Sequence, residues 1–292
     1  MNRRKRQLRL VTAAAAAVLA AGGLLAAWKT PAERAAVPIL RKNAEARGGL
    51  AAWRNVRTMS FSGSMDAGVA RDPAKQAAAY VQARSQTRAE ARRRAARGGE
   101  AGEKPVELPF VMELARPGKS RVEITFRGEK AVQVYDGTSG WKLRPFLGRR
   151  EVEPFTAEEM RLAAQQSDLD GPLLDADRKG SKVELLGTEP VEGRNAYRLH
   201  VTSRAGQARD VWVDAQTFLE VKVDGARRLD GKPRPVFTYF RDWRTVDGLL
   251  VPHVLETTVD GVRGSERIRV EHVAVNPPLD ASRFEPPAAT GA

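Results

Sequence analysis

Three histidines, His200, His253 and His272, are the side chains of this 292-residue sequence whose ordinary pKa lies nearest neutrality, and there is no cysteine. Metal binding would need two or more such ligands at helical or turn spacing, and acid–base catalysis would need a partner carboxylate. No histidine pair has ligand spacing, each histidine falls in a stretch that reads as strand, and no carboxylate cluster accompanies them. Asp168, Asp170, Asp175 and Asp177 stand around Gly171-Pro172, but a calcium loop needs a different oxygen spacing and a terminal glutamate. They read as an exposed polar loop. No G-x-S-x-G elbow, phosphate-binding loop or G-x-G-x-x-G fingerprint occurs. The expectation is a protein that is not an enzyme and uses no cofactor and no metal.

What remains is the apolar pattern. From Arg209 to Val275 the sequence alternates with period two between turns such as Asp224-Gly225 and Val246-Asp247-Gly248. A second alternating series starts at Leu108, turns at Arg116-Pro117-Gly118-Lys119, and turns again at Gly128-Glu129 and Asp136-Gly137. Strands are also expected at Arg57–Met65, Lys182–Leu186 and Ala196–Val201. Helices are expected at Val37–Arg47, stopped by Gly48-Gly49, and at Phe155–Gln166, where Thr156 and Glu159 form a capping box. The fold class is mainly β (α+β): one curved antiparallel sheet of about ten strands with two or three helices and no internal repeat.

One face of that sheet is apolar. Phe110, Met112, Leu114, Val122, Ile124, Phe126, Val132, Val134 and Leu143 are assigned to it, because a one-residue slip would turn Glu113 and Glu123 inward. A sheet of this size curls strongly, and two or three short helices fill it only in part, so the expectation is a concave apolar space. An acyl chain of about sixteen methylenes would gain roughly 12 kcal/mol from full burial there.

The net charge of +13 is uneven: residues 1–10 carry five of the positive charges, residues 71–105 another five net, and residues 106–292 are close to neutral. That distribution points away from nucleic acid and towards targeting or contact between the basic N-terminus and anionic lipid. Arg3, Arg4, Lys5, Arg6 and Arg9 precede an uncharged Ala-rich run over residues 10–27, the pattern of an export signal, with a cut expected after Ala32. The alternative is an uncleaved anchor that tethers the protein to the inner membrane. Residues 67–105, basic and almost without an apolar face, read as an arm inserted between the first two strands. The domain is expected over residues 33–286, with a flexible tail at 287–292.

The order of these elements resembles a known family. The segments ILRKNAEARGGLAAWRNVRTMSFSGSM, DLDGPLLDADRKGSKVELLGTEPVEGRNAYRLHV, WVDAQTFLEVKVDG and FTYFRDWRTVDGLLVPHVLETTVDG are similar to those of the LolA/LolB-like superfamily of outer-membrane lipoprotein-sorting proteins. The resemblance covers most of residues 37–286 apart from the arm. It implies an incomplete β-barrel wrapped over helices, with an apolar cavity for acyl chains. It also implies periplasmic residence in a Gram-negative-type bacterium, an acylated lipoprotein or lipid as cargo, and an inner- or outer-membrane protein partner. The missing cysteine argues against a lipidated receptor. A sensor or protein-interaction module built on the same half-barrel is the alternative function.

Overall fold

A computed structural model describes residues 29–66, 107–229, 232–262 and 264–288. Residues 1–28 of the expected export signal or anchor, the whole of the expected arm over 67–105 and residues 289–292 lie outside the described residues.

Among the described residues the first element is helix α1 (Pro31–Ala46), which starts earlier than the sequence pattern suggested. Thr30 caps it: its hydroxyl accepts from the Glu33 N–H, and the Glu33 carboxylate accepts from the Thr30 N–H at 2.5 Å. Pro31 takes the first helical turn, whereas Pro38, expected there, sits inside the helix. Ala32 is therefore helical, and the folded domain reaches back past the expected boundary at 32/33 to Lys29, which pairs with Asp177 at 2.8 Å. Gly48 and Gly49 end α1 with φ of 104° and 93°; their N–H groups donate to the Glu45 and Ala44 carbonyls. Helix α2 (Leu50–Asn55) follows.

The strands are β1 (Thr58–Asp66), β2 (Glu107–Ala115), β3 (Lys119–Phe126), β4 (Glu129–Tyr135), β5 (Gly140–Arg144) and β6 (Arg149–Pro154). After helices α3 (Ala157–Gln166) and α4 (Ala176–Lys179) come β7 (Lys182–Val191), β8 (Arg194–Thr202), β9 (Ala208–Asp214), β10 (Glu220–Leu229), β11 (Lys232–Val246), β12 (Leu249–Val259) and β13 (Ser265–Val275). All thirteen form one antiparallel sheet in the order β6-β5-β4-β3-β2-β1-β13-β12-β11-β10-β9-β8-β7. The sheet is not closed, so the fold is an incomplete barrel over helices. It consists of two meanders, β1 to β6 and β7 to β13, joined along a single seam between β1 and β13.

The helices share one face of the sheet, the inner face. Ala36 and Ile39 of α1 pack with Val183, Leu199, Val211 and Val213. Trp53 of α2 packs with Met59, Phe61, Leu114, Leu249 and Val251. Each fully buried side chain of this size contributes about 1.5–3 kcal/mol. The outer face carries two smaller clusters, one around Trp212 and one where a 3-10 turn at Ala281–Phe284 seats Phe284 on Val132, Val134 and Leu143.

Candidate functional site

Strand pairing settles which side chains share the inner face. Phe110 lies opposite Ile124 and Met112 opposite Val122, and across β1 Phe61 faces Met112 and Met59 faces Leu114. Six of the expected residues, Phe110, Met112, Leu114, Val122, Ile124 and Phe126, thus come together in the cluster under the helices. The other three do not. Val132 is opposite Glu123 and Val134 opposite Arg121, and Leu143 pairs with Val132, so these three look outward beneath Phe284. In β4 the inward residues are Ala131, Gln133 and Tyr135.

Under α3 the inner face is nearly filled. The space between α3 and strands β2 to β4 measures about 40 Å³ and is lined by Met112, Leu114, Val122, Tyr135, Phe155 and Leu162. That is room for water, not for an acyl chain. Beside it, Lys142 of β5 and Glu159 of α3 form a buried ion pair at 2.7 Å. Glu159 is also the capping-box residue of α3, so one carboxylate both starts the helix and fixes it to the sheet.

The acidic loop is not the exposed segment that the sequence suggested. Asp170 is buried and pairs with Arg116. Asp168 accepts from Lys179 at 2.7 Å; burial pushes its carboxyl above the ordinary range, against the pull of Lys179. Asp175 takes both prongs of Arg54 at 2.7 Å, which hold its carboxyl below the ordinary range. Arg47, buried at the end of α1, donates to the Asp170 carbonyl and to Glu220. These ion pairs tie the loop to α1, α2 and the β2–β3 turn. Spacing alone hides the pairs with Arg54 and Arg116, which are distant in sequence.

Beyond the helices a less filled band crosses the inner face. Phe240 of β11 lies opposite Leu255, Leu255 opposite Ile268, Ile268 opposite Met65, and Met65 opposite Leu108. Met65 and Leu108 are buried, whereas Phe240, Leu255 and Ile268 are half-buried. One row further out Val223, Thr238, Thr257 and Glu266 pair in succession, polar from Thr238 onward, and the two threonine hydroxyls meet at 2.9 Å. The sequence reading places these strands but assigns none of these residues to the site. Their alternation was legible; their alignment into one band depends on register across five strands.

The histidines do not converge. His200 meets Asp210 at 2.6 Å, His253 is buried with Nδ1 3.1 Å from the Val251 carbonyl, and His272 is exposed. Among the described residues no group of three or more His, Cys, Asp or Glu side chains could hold a metal ion.

The architecture has known counterparts. A LolA-superfamily protein from Nitrosomonas europaea superposes over 86% of this chain and 97% of its own, with a TM-score of 0.50 at 12% identity. A DUF1329-family protein from Desulfovibrio piger does so over 88% and 98%, with a TM-score of 0.52 at 14% identity. The fold is that of the LolA superfamily. No protein-family profile matches the sequence, and no curated protein does. In this LolA-type half-barrel no helix among the described residues is long and apolar enough to cross a membrane.

Proposed function

We propose that the protein is a non-catalytic carrier or binder of acylated cargo, a lipoprotein or a lipid, in the cell envelope. The observation that carries this reading is the inner-face band of Phe240, Leu255, Ile268, Met65 and Leu108, apolar over five strands and only half covered at its β11–β13 end. Half-buried apolar residues on a concave face gain burial when an acyl chain lies across them, at about 0.8 kcal/mol per methylene. The fold of the LolA-superfamily counterparts supports the same reading. The tight filling of the face beneath α3 supports a binding surface nearer β11 to β13 than the sequence suggested.

The test is organic extraction of natively purified protein followed by mass spectrometry, together with titration of a fluorescent fatty acid. Acyl lipid in near-stoichiometric amount and saturable probe binding are expected. An empty extract and no probe binding would overturn the reading. The tight filling under α3 favours a second reading, an envelope sensor or interaction module whose half-barrel serves a protein partner. A stoichiometric protein partner recovered with lipid-free protein would mark that outcome.

A further inference from the structure

The open part of the apolar row has two ends. Phe240, Leu255 and Ile268 stand side by side on β11, β12 and β13 and are half-buried. The next two members, Met65 on β1 and Leu108 on β2, are only 2% and 1% exposed. At Met65 the row therefore passes from open surface into core. The other end lies at β10. Lys222 is opposite Tyr239, so Val221 is the β10 neighbour of Phe240, yet Val221 packs with the outer cluster around Trp212. A bulge between Glu220 and Lys222 in the β9–β10 ladder accompanies that reversal. The flanks of the row are closed to an apolar ligand too. Two residues along β12 and β13 on the same face, His253 and Val270 are buried. In the opposite direction the row carries Thr238, Thr257 and Glu266, whose polar groups would lose water under a hydrocarbon. What is left is one apolar strip, three strands long and one residue wide.

We propose that this strip is a ruler for a single acyl chain of medium length, with its methyl end stopped by Met65 and its head at the β10 side of Phe240. This rests on the carrier reading above and adds the length class of the ligand. Neighbouring strands are about 4.8 Å apart, so the three half-buried residues span about 10 Å. Carbon–carbon bonds of about 1.52 Å at near-tetrahedral angles advance an extended chain by about 1.25 Å each, so the strip matches about eight to ten carbons. A longer chain finds no further half-buried row to cover. Its extra methylenes stay in water and add no affinity, because the gain follows the apolar area removed from water.

The test displaces a fluorescent fatty acid from the full chain with a series of saturated fatty acids, from about six to about sixteen carbons, each below its micelle concentration. Affinity is expected to rise about two- to fourfold per methylene up to about ten carbons and to level off beyond. Met65→Ala opens the row towards β1 by one strand spacing, so its plateau should move out by about four carbons. Ile268→Phe fills the row one strand earlier and should bring the plateau in by about the same amount. Ile268 is half-buried, so this variant reads the ruler even where the Met65 variant fails to fold. An affinity that climbs steadily through the longest acid, or a plateau that the folded variants leave in place, overturns the ruler and leaves the carrier reading standing. Binding of neither the probe nor any acid overturns both.

Discussion

Phe126 lies directly opposite Glu129 across the two-residue turn Arg127-Gly128, and this single pairing decides which side of β4 looks inward. Both turn residues have positive φ, 49° and 79°, the geometry of a tight hairpin. With Phe126 on the inner face, Glu129 and then Ala131, Gln133 and Tyr135 must follow it. Val132 and Val134 are left for the outer face, where Phe284 covers them.

Charge placed on the two parts of the inner face should have opposite effects. Ile124 is 3% exposed in the core, so Ile124→Asp buries an unpartnered carboxylate and should cost several kcal/mol, of the order of 4. Phe240 is half-buried beside the open rim, so Phe240→Asp should leave the fold within about 2 kcal/mol while weakening a fluorescent fatty acid tenfold or more. Urea melts and probe titrations on both variants check this. Unfolding of the Phe240 variant would show that the band is core.

Lys142 and Glu159 are each about 95% buried, and removing one strands the other. Lys142→Met should destabilise by about 3–5 kcal/mol. Adding Glu159→Gln, which still accepts at the Thr156 cap, should recover at least half of that loss. Chemical denaturation of the single and double variants reads it out. No recovery in the double variant would show that the lysine acts through packing alone.

Asp175 supplies an acid-sensitive contribution. Its folded-state carboxyl is held below the ordinary range, first by the Arg54 fork. The stabilisation is therefore fully present above the unfolded-state pKa, about 3.9, and is lost as pH falls through the folded-state value. Asp175→Asn keeps the side chain that best tolerates the local φ of 56° and removes the charge. The unaltered protein should exceed the variant in urea midpoint at pH 7, and the gap should shrink at pH 3. A gap unchanged by acid would assign the difference to geometry.

Gly63 sits at the bulge in the β1–β13 ladder, and a Cβ there would lie 2.0 Å from the Arg269 carbonyl oxygen. Only backbone movement could relieve that contact. Gly63→Ala should cost about 3 kcal/mol, the upper end for forced overpacking. Thermal melts of Gly63→Ala beside Gly225→Ala, where a Cβ meets open space, provide the comparison.

Much of this was written locally in the sequence. Alternation and Asp-Gly turns marked the strands from Leu108 onward, and Thr156 with Glu159 marked the start of α3. The first helix is equally legible, since Thr30-Pro31-Ala32-Glu33 is a capping box with proline in the first turn, although it overlaps the cut expected after Ala32. The polar edge strand β6 gave no alternation to read. The parity of β4 depended on whether the turn was Arg127-Gly128 or Gly128-Glu129, a difference of one residue that reverses every side chain after it. The pairs of Arg54 with Asp175 and of Arg116 with Asp170 join residues that no spacing relates, so only the packing of the loop on α2 and the β2–β3 turn brings them together.

The seam between β1 and β13 has a consequence for how the molecule is made. Within each meander every strand finds its partner next to it in sequence, so both halves can begin to organise as the polypeptide emerges. The two halves share one ladder, and it joins strands from opposite ends of the domain, with Met59 opposite Val275. Until residues 265–275 are available, β1 offers an unpaired edge in what will become the middle of the sheet, and that is when the molecule is most open to pairing with the wrong strand. Completion of the fold is therefore timed by the last strand made.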